Sequence, residues 1–116
     1  MLELGHKNLD VYSNAIELVS QIYQLTDLFP QEEKFGLISQ LRRAAVSVPS
    51  NISEGAARRS LAERNRFYEI ARSSLVEVDV QLEIALKLNI VEKQQLIDIE
   101  PQLTKTFAQL SNMIKR

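Results

Sequence analysis

At 116 residues, 45% apolar and 25% charged, the chain has the length of one domain and can bury a working core without staples. It has no cysteine, which excludes a disulfide framework and thiolate metal sites. Its single histidine, His6, leaves hydrolytic triads without their usual base and di-iron bundles without their Glu-x-x-His pairs. The net charge of −1 conceals an asymmetry: residues 1–40 hold two Lys against six Asp/Glu, residues 41–72 seven Arg against three Glu, and residues 73–116 five basic against six acidic side chains.

The opening MLELGHKNLDVYS lacks the basic region and apolar run of a signal peptide. No apolar stretch approaches the roughly 20 residues a membrane span needs. The expectation is a cytoplasmic protein with no membrane contact. Residues 1–8, with His6 among them, read as the N-terminal arm of a single domain covering residues 1–116.

A first helix is predicted from Asp10, taken as its N-cap, to just before Pro30. Val11, Ala15, Leu18, Ile22, Leu25 and Phe29 repeat at helical spacing and form its core stripe. Tyr12, Ile16, Val19 and Tyr23 widen the apolar arc to about half the wheel, more than a monomer needs.

A second helix is predicted from about Glu32 to Gly55 or slightly beyond. Leu37, Ile38, Leu41, Ala44, Ala45, Val48, Ile52 and Ala56 share its buried face, and Ser39, Val46, Ser53 and Ala57 make a small-residue strip on its flank. Pro49 falls in its middle and is expected to kink it, because proline cannot bond back to the Ala45 carbonyl. Ser47, Ser50 and Ser53 stand close enough to supply hydroxyl partners. Gly55 reads as a weak point near the helix end.

Ser60-Leu61-Ala62-Glu63 is a capping-box sequence that opens a third helix running to about Leu88. Phe67, Ala71, Ser74, Leu75, Val78, Leu82, Ala85 and Leu86 face its core side. Val76, Val80 and Ile84 repeat every four residues on the other side, where a monomer should be polar, and predict an oligomer interface. After a short connector at residues 88–91, a fourth helix is expected to reach about Ile114. Its stripe is Leu96, Ile99, Leu103, Phe107, Leu110 and Ile114, and Pro101 is expected to kink it. Four helices with short connections predict an all-α, antiparallel up-down-up-down four-helix bundle, helix 2 being kinked at Pro49.

The chemistry-bearing candidates are few. Seven of the eight arginines lie in residues 41–72, and that block has no lysine. Arg42, Arg43, Arg58, Arg59, Arg64 and Arg66 are therefore the candidate nucleic-acid contacts, since arginine pairs with phosphate through two parallel hydrogen bonds. The alternative is salt bridging to the acidic flanks or to a neighbouring subunit. Asn51 and Glu54 lie one turn apart beside Pro49, either as a ligand network or as a network that satisfies the kink and pairs with Arg42 or Arg72. No nucleophile–base pair, metal cluster or Gly-rich phosphate loop is present, so no catalytic residue, metal, cofactor or small-molecule substrate is assigned and the chain is expected not to be an enzyme.

The string from Gln40 to Gly55, QLRRAAVSVPSNISEG, resembles the central signature of the bacterial four-helix-bundle proteins associated with 23S ribosomal RNA intervening sequences, and Leu9-Asp10-Val11-Tyr12 is similar to that family's opening. The resemblance covers nearly the whole chain. It implies a non-enzymatic homo-oligomer, a pentameric ring. It also implies a likeness to the accessory variability determinant of diversity-generating retroelements, which works with a reverse transcriptase and RNA. RNA, or a nucleic-acid-processing protein, is the partner so implied, with the arginine block as the surface that could serve it. The other reading is a protein-interaction or structural module that binds no nucleic acid.

Overall fold

The computed structural model describes residues 1–115. Four α-helices make the fold, and no strand occurs among the described residues: α1 (Asp10–Thr26), α2 (Ser39–Ala56), α3 (Leu61–Lys87) and α4 (Ile99–Met113). Packed neighbours are α1 with α2 and α4, and α3 with α2 and α4, within an envelope of 44 × 31 × 22 Å.

The periodic stripes are the buried ones. All six predicted core positions of α1 and its exit, from Val11 to Phe29, are buried, as are Leu41, Ala44, Ala45, Val48 and Ile52 of α2. On α3, Ala71, Leu75, Val78, Leu82 and Ala85 join them, and Leu96, Ile99, Leu103, Leu110 and Ile114 close the fourth side.

The boundaries differ from expectation where side chains compete with the backbone. Asp10 is the first residue of α1, and the cap position is Leu9, which offers no side-chain bond. Three residues short of Phe29, α1 stops at Thr26, whose hydroxyl donates to the Ile22 carbonyl at 2.7 Å. Glu32 does not begin α2. A 3₁₀ turn at Gln31–Glu33 leads into a wide, π-type turn at Lys34–Ile38, where Gly36 leaves helical geometry at φ −111°, ψ −111°. The Glu33 carboxylate accepts from the Leu37 N–H there, an N-terminal cap for the helix that follows.

Ser60 caps α3 as expected, its Oγ accepting from the Glu63 N–H at 3.1 Å. The Glu63 carboxylate accepts from the Ser60 hydroxyl at 3.3 Å. A complete capping box appears instead at Glu92 and Gln95, around a separate 3₁₀ turn, Lys93–Leu96. That turn delays α4 to Ile99 and places Pro101 in the first helical turn. Proline there breaks no intrahelical bond, so the predicted kink has no cause. Phe107, assigned to the core stripe, is 41% exposed. Phe67 is only partly buried, and its neighbour Tyr68 is the aromatic that enters the core.

The N-terminal arm has packing of its own. Gly5–Asn8 forms a 3₁₀ turn against α1 and α2, and the His6 ring meets Tyr12 edge-on at 4.9 Å.

Candidate functional site

Helix α2 separates the arginine block into two groups. Arg42 and Arg43 stand near its start and Arg58 just beyond its end, 16 residues apart, or about 24 Å at 1.5 Å per residue. The six candidates therefore do not form one patch.

Arg42 is tied to the end of α1. Its Nε donates to Thr26 Oγ1 at 2.8 Å, its Nη2 to Asp27 Oδ1 at 2.8 Å, and the guanidinium lies 4.4 Å over the Tyr23 ring. Arg43 is more exposed and reaches Glu77 of α3 at 3.9 Å.

At the other end, Arg58 pairs with Glu54 at 2.9 Å and covers Phe67 at 4.8 Å. Arg64 donates to the carbonyls of Arg58 and Arg59 at 3.0 and 2.9 Å, bracing the α2–α3 connection from the first turn of α3. Arg59 and Arg66 point to solvent, and neither has an ion-pair partner among the described residues. Of the four arginines at and just after the α2–α3 connection, Arg58 and Arg64 bond within the chain, and Arg59 and Arg66 are exposed.

The polar residues around Pro49 bond within the fold. Asn51 Nδ2 donates to the Ser47 carbonyl at 2.8 Å and to Ser47 Oγ at 3.0 Å, and Ser53 donates to the Pro49 carbonyl at 2.9 Å. Ser74 of α3 reaches Ser47 at 2.9 Å, so the cluster stitches α2 to α3. Glu54 takes Arg58 as its partner. Arg42 is committed to Asp27, and Arg72 to Ser111 and Phe107, so neither of the two expected arginines pairs with it.

Gly55, read from the sequence as a weak point, is a contact site. A Cβ there would lie 2.6 Å from Tyr68 Cε1, so the absent side chain lets the Tyr68 ring seat on the α2 backbone. Burial raises the Tyr68 phenol pKa above its ordinary 10.0, and the charge of Arg64 partly offsets this.

Val76, Val80 and Ile84 stand on the outer side of α3 at 48%, 45% and 43% exposure. The exposed charges between them, Glu77, Asp79 and Glu83, are all acidic. A second apolar surface is a groove between α1 and α2 lined by Tyr12, Ile16, Val19, Val46 and Pro49, with serine as its remaining lining. The sequence signalled its α1 half through the over-wide apolar arc. The α2 half was not legible, because Val46 read only as part of a small-residue strip.

Among the described residues no group of three His, Cys, Asp or Glu side chains is placed to hold a metal ion, and no helix is long and apolar enough to cross a membrane. The fold and these surfaces define a small all-helical protein whose distinctive features are exposed apolar faces and an arginine-rich end. The chain belongs to the 23S rRNA-intervening sequence protein family, whose sequence model matches residues 7–114. A solved structure is similar: a protein with unknown function from the S23 ribosomal protein family of Bacteroides thetaiotaomicron. It is 22% identical with a TM-score of 0.80, and the match covers 91% of this chain and 99% of that one, a likeness of fold. No curated protein matches the chain.

Proposed function

We propose that this protein is a non-enzymatic, cytoplasmic homo-oligomer, a pentamer, that contacts RNA through the arginine-rich end of an antiparallel up-down-up-down bundle. The bundle reading is supported by cross-helix pairs that run in opposite directions: Ser47 meets Ser74 while Gln40 meets Gln81, and Asn14 meets Gln109 while Gln21 meets Asp98. Pro49 within α2 supports a kink, and beside it Asn51 and Ser53 donate to the Ser47 and Pro49 carbonyls. The assembly type, a ring working beside RNA, is what the resemblance of the Gln40–Gly55 string implies.

One observation carries the RNA reading: Arg59 and Arg66 are exposed and have no ion-pair partner among the described residues. Aromatic residues do not interleave with them as a stacking platform, so phosphate contact would dominate and sequence readout would be weak. The test is anisotropy of labelled structured RNA against salt. Wild type should bind with a steep salt dependence, and Arg59→Ala/Arg66→Ala should lower the slope by about 2, since each arginine neutralises one phosphate. Wild type that does not bind at low salt, or a double variant that binds like wild type, overturns the RNA reading.

A second reading, a protein-interaction or structural module, is favoured by a different observation. Arg42, Arg58 and Arg64 are all used inside the chain. The same binding measurement separates the two.

A further inference from the structure

We infer that the cleft between the start of α3 and the end of α4 holds one nucleotide, with its phosphate at Arg64 and Lys115 and its base against Asn112 and an apolar wall. This goes beyond the exposed arginines of the proposed function, because the site is a pocket and takes a free nucleotide as well as an unpaired nucleotide of an RNA chain.

The cleft has a volume of about 350 Å³, at the small end of the roughly 300–1,000 Å³ of small-ligand sites. Its charged lining residues are Arg64 and Lys115, and no acidic side chain lines it among the described residues. That sign selects an anion. Arg64 bonds the Arg58 and Arg59 carbonyls through Nη1, and neutral carbonyls leave its charge in place. The charge reaches the Tyr68 phenol, where it opposes the effect of burial on the pKa. Lys115 is held by Asn65, whose amide donates to the Lys115 carbonyl and accepts from the Lys115 N–H at 3.1 Å. It has no ion-pair partner among the described residues.

A donor without a partner faces the same ligand. Tyr68 lines the cleft at 6% exposure, and its hydroxyl makes no hydrogen bond among the described residues. Polar groups on side chains so little exposed are ordinarily paired. A phosphate oxygen accepts from a phenol, and burial keeps this phenol protonated at neutral pH.

Two features select a nucleotide over a simple anion. Leu61, Met113 and the Tyr68 ring form an apolar wall, for which inorganic phosphate has no use. The Asn112 side-chain amide also lines the cleft without a partner among the described residues. It offers one donor and one acceptor side by side, the complement of a nucleobase edge. An anion with a purely apolar tail would leave that amide unpaired.

The test titrates the isotope-labelled full-length chain with adenosine monophosphate and follows nitrogen–proton correlation spectra. Inorganic phosphate and adenosine serve as half-ligands, and a hairpin RNA with an unpaired tail as the other source of the nucleotide. The monophosphate should shift the Leu61, Asn112 and Met113 signals and bind at least about tenfold tighter than either half-ligand. Tyr68→Phe keeps the ring and removes the hydroxyl, and should weaken binding about tenfold. Lys115→Ala should weaken it about threefold. Asn65→Ala removes no charge yet should match Lys115→Ala, and the two together should lose no more than either alone. Shifts that map elsewhere, or binding that none of these variants weakens, overturn the site. Inorganic phosphate that binds as tightly as the monophosphate overturns the nucleotide assignment. If the monophosphate fails to bind while the hairpin binds through Arg59 and Arg66, this inference falls and the RNA reading stands. If the monophosphate binds in the cleft and the hairpin does not bind, the inference stands with a free nucleotide as ligand and the RNA reading falls. Failure of both ligands to bind overturns both.

Discussion

Replacing Gly55 by alanine tests whether the α2–α3 contact is as close as the geometry says. An alanine Cβ would lie 2.6 and 2.9 Å from Tyr68 Cε1 and Cδ1, and 3.1 Å from Phe67 Cβ. Distances under 3.0 Å force a shift, and Tyr68 has little freedom to give because it is only 6% exposed. Overpacking of this kind costs about 1–3 kcal/mol. Alanine returns about 0.5–1 kcal/mol through its better helix propensity. The balance is a destabilisation of about 1–2 kcal/mol. With an unfolding entropy of about 2.1 cal/mol/K per residue, the melting temperature should fall by roughly 4–8 °C. Thermal and urea unfolding followed by circular dichroism measure this. A Tyr68→Ala background removes the ring, and there the same Gly55→Ala change should cost less than about 0.5 kcal/mol. A Gly55→Ala protein that melts higher than wild type, or one that loses equally in both backgrounds, refutes the close-contact reasoning.

Arg42→Ala should destabilise by about 1–2 kcal/mol, since it removes a charge-assisted bond to the buried Thr26 hydroxyl and a stacked ring contact. Asp27→Ala should cost no more than about 0.5 kcal/mol, because Asp27 is 75% exposed and its ion pair is screened. Equal losses from the two, in urea unfolding at low and high salt, would show that the ion pair dominates instead. The buried Tyr68 gives a pH dependence of known sign. Its folded-state pKa is raised above 10.0, so the folded protein holds the phenolic proton more tightly than the unfolded chain. Its contribution is complete below pH 10 and is lost as the pH rises through the folded-state value. Denaturant unfolding between pH 9 and 11.5 should therefore show a steeper alkaline loss for wild type than for Tyr68→Phe, and identical slopes would remove Tyr68 as the cause.

The sequence by itself determined the four helices and the faces they bury. The buried set from Val11 to Phe29, and the Leu41–Ile52 and Ala71–Ala85 sets, follow from a 3.6-residue period in which every apolar position on one side must leave water. Ser60 as the cap of α3 was legible for the same kind of reason, since a short polar side chain before an apolar period has one local bond to make. The misreadings share a cause. Thr26, Glu33 and Gln95 each move a helix boundary through a bond whose choice of backbone partner the pattern leaves open. Phe107 and Tyr68 depend on which helix stands opposite, and periodicity within one helix cannot say that.

Tertiary structure alone decided what the QLRRAAVSVPSNISEG stretch is for within the fold. The run of arginines looked like one basic block, yet the length of α2 sends Arg42 to one end and Arg58 to the other, where each meets a different partner. The small residues around Pro49 looked like chemistry or weakness. Packed against α3, they become the Ser47–Ser74 bond and the bare backbone at Gly55 on which Tyr68 rests. Periodicity reports which side of a helix is apolar. What each side meets is a property of distances between segments far apart in the chain, and only the folded arrangement holds those.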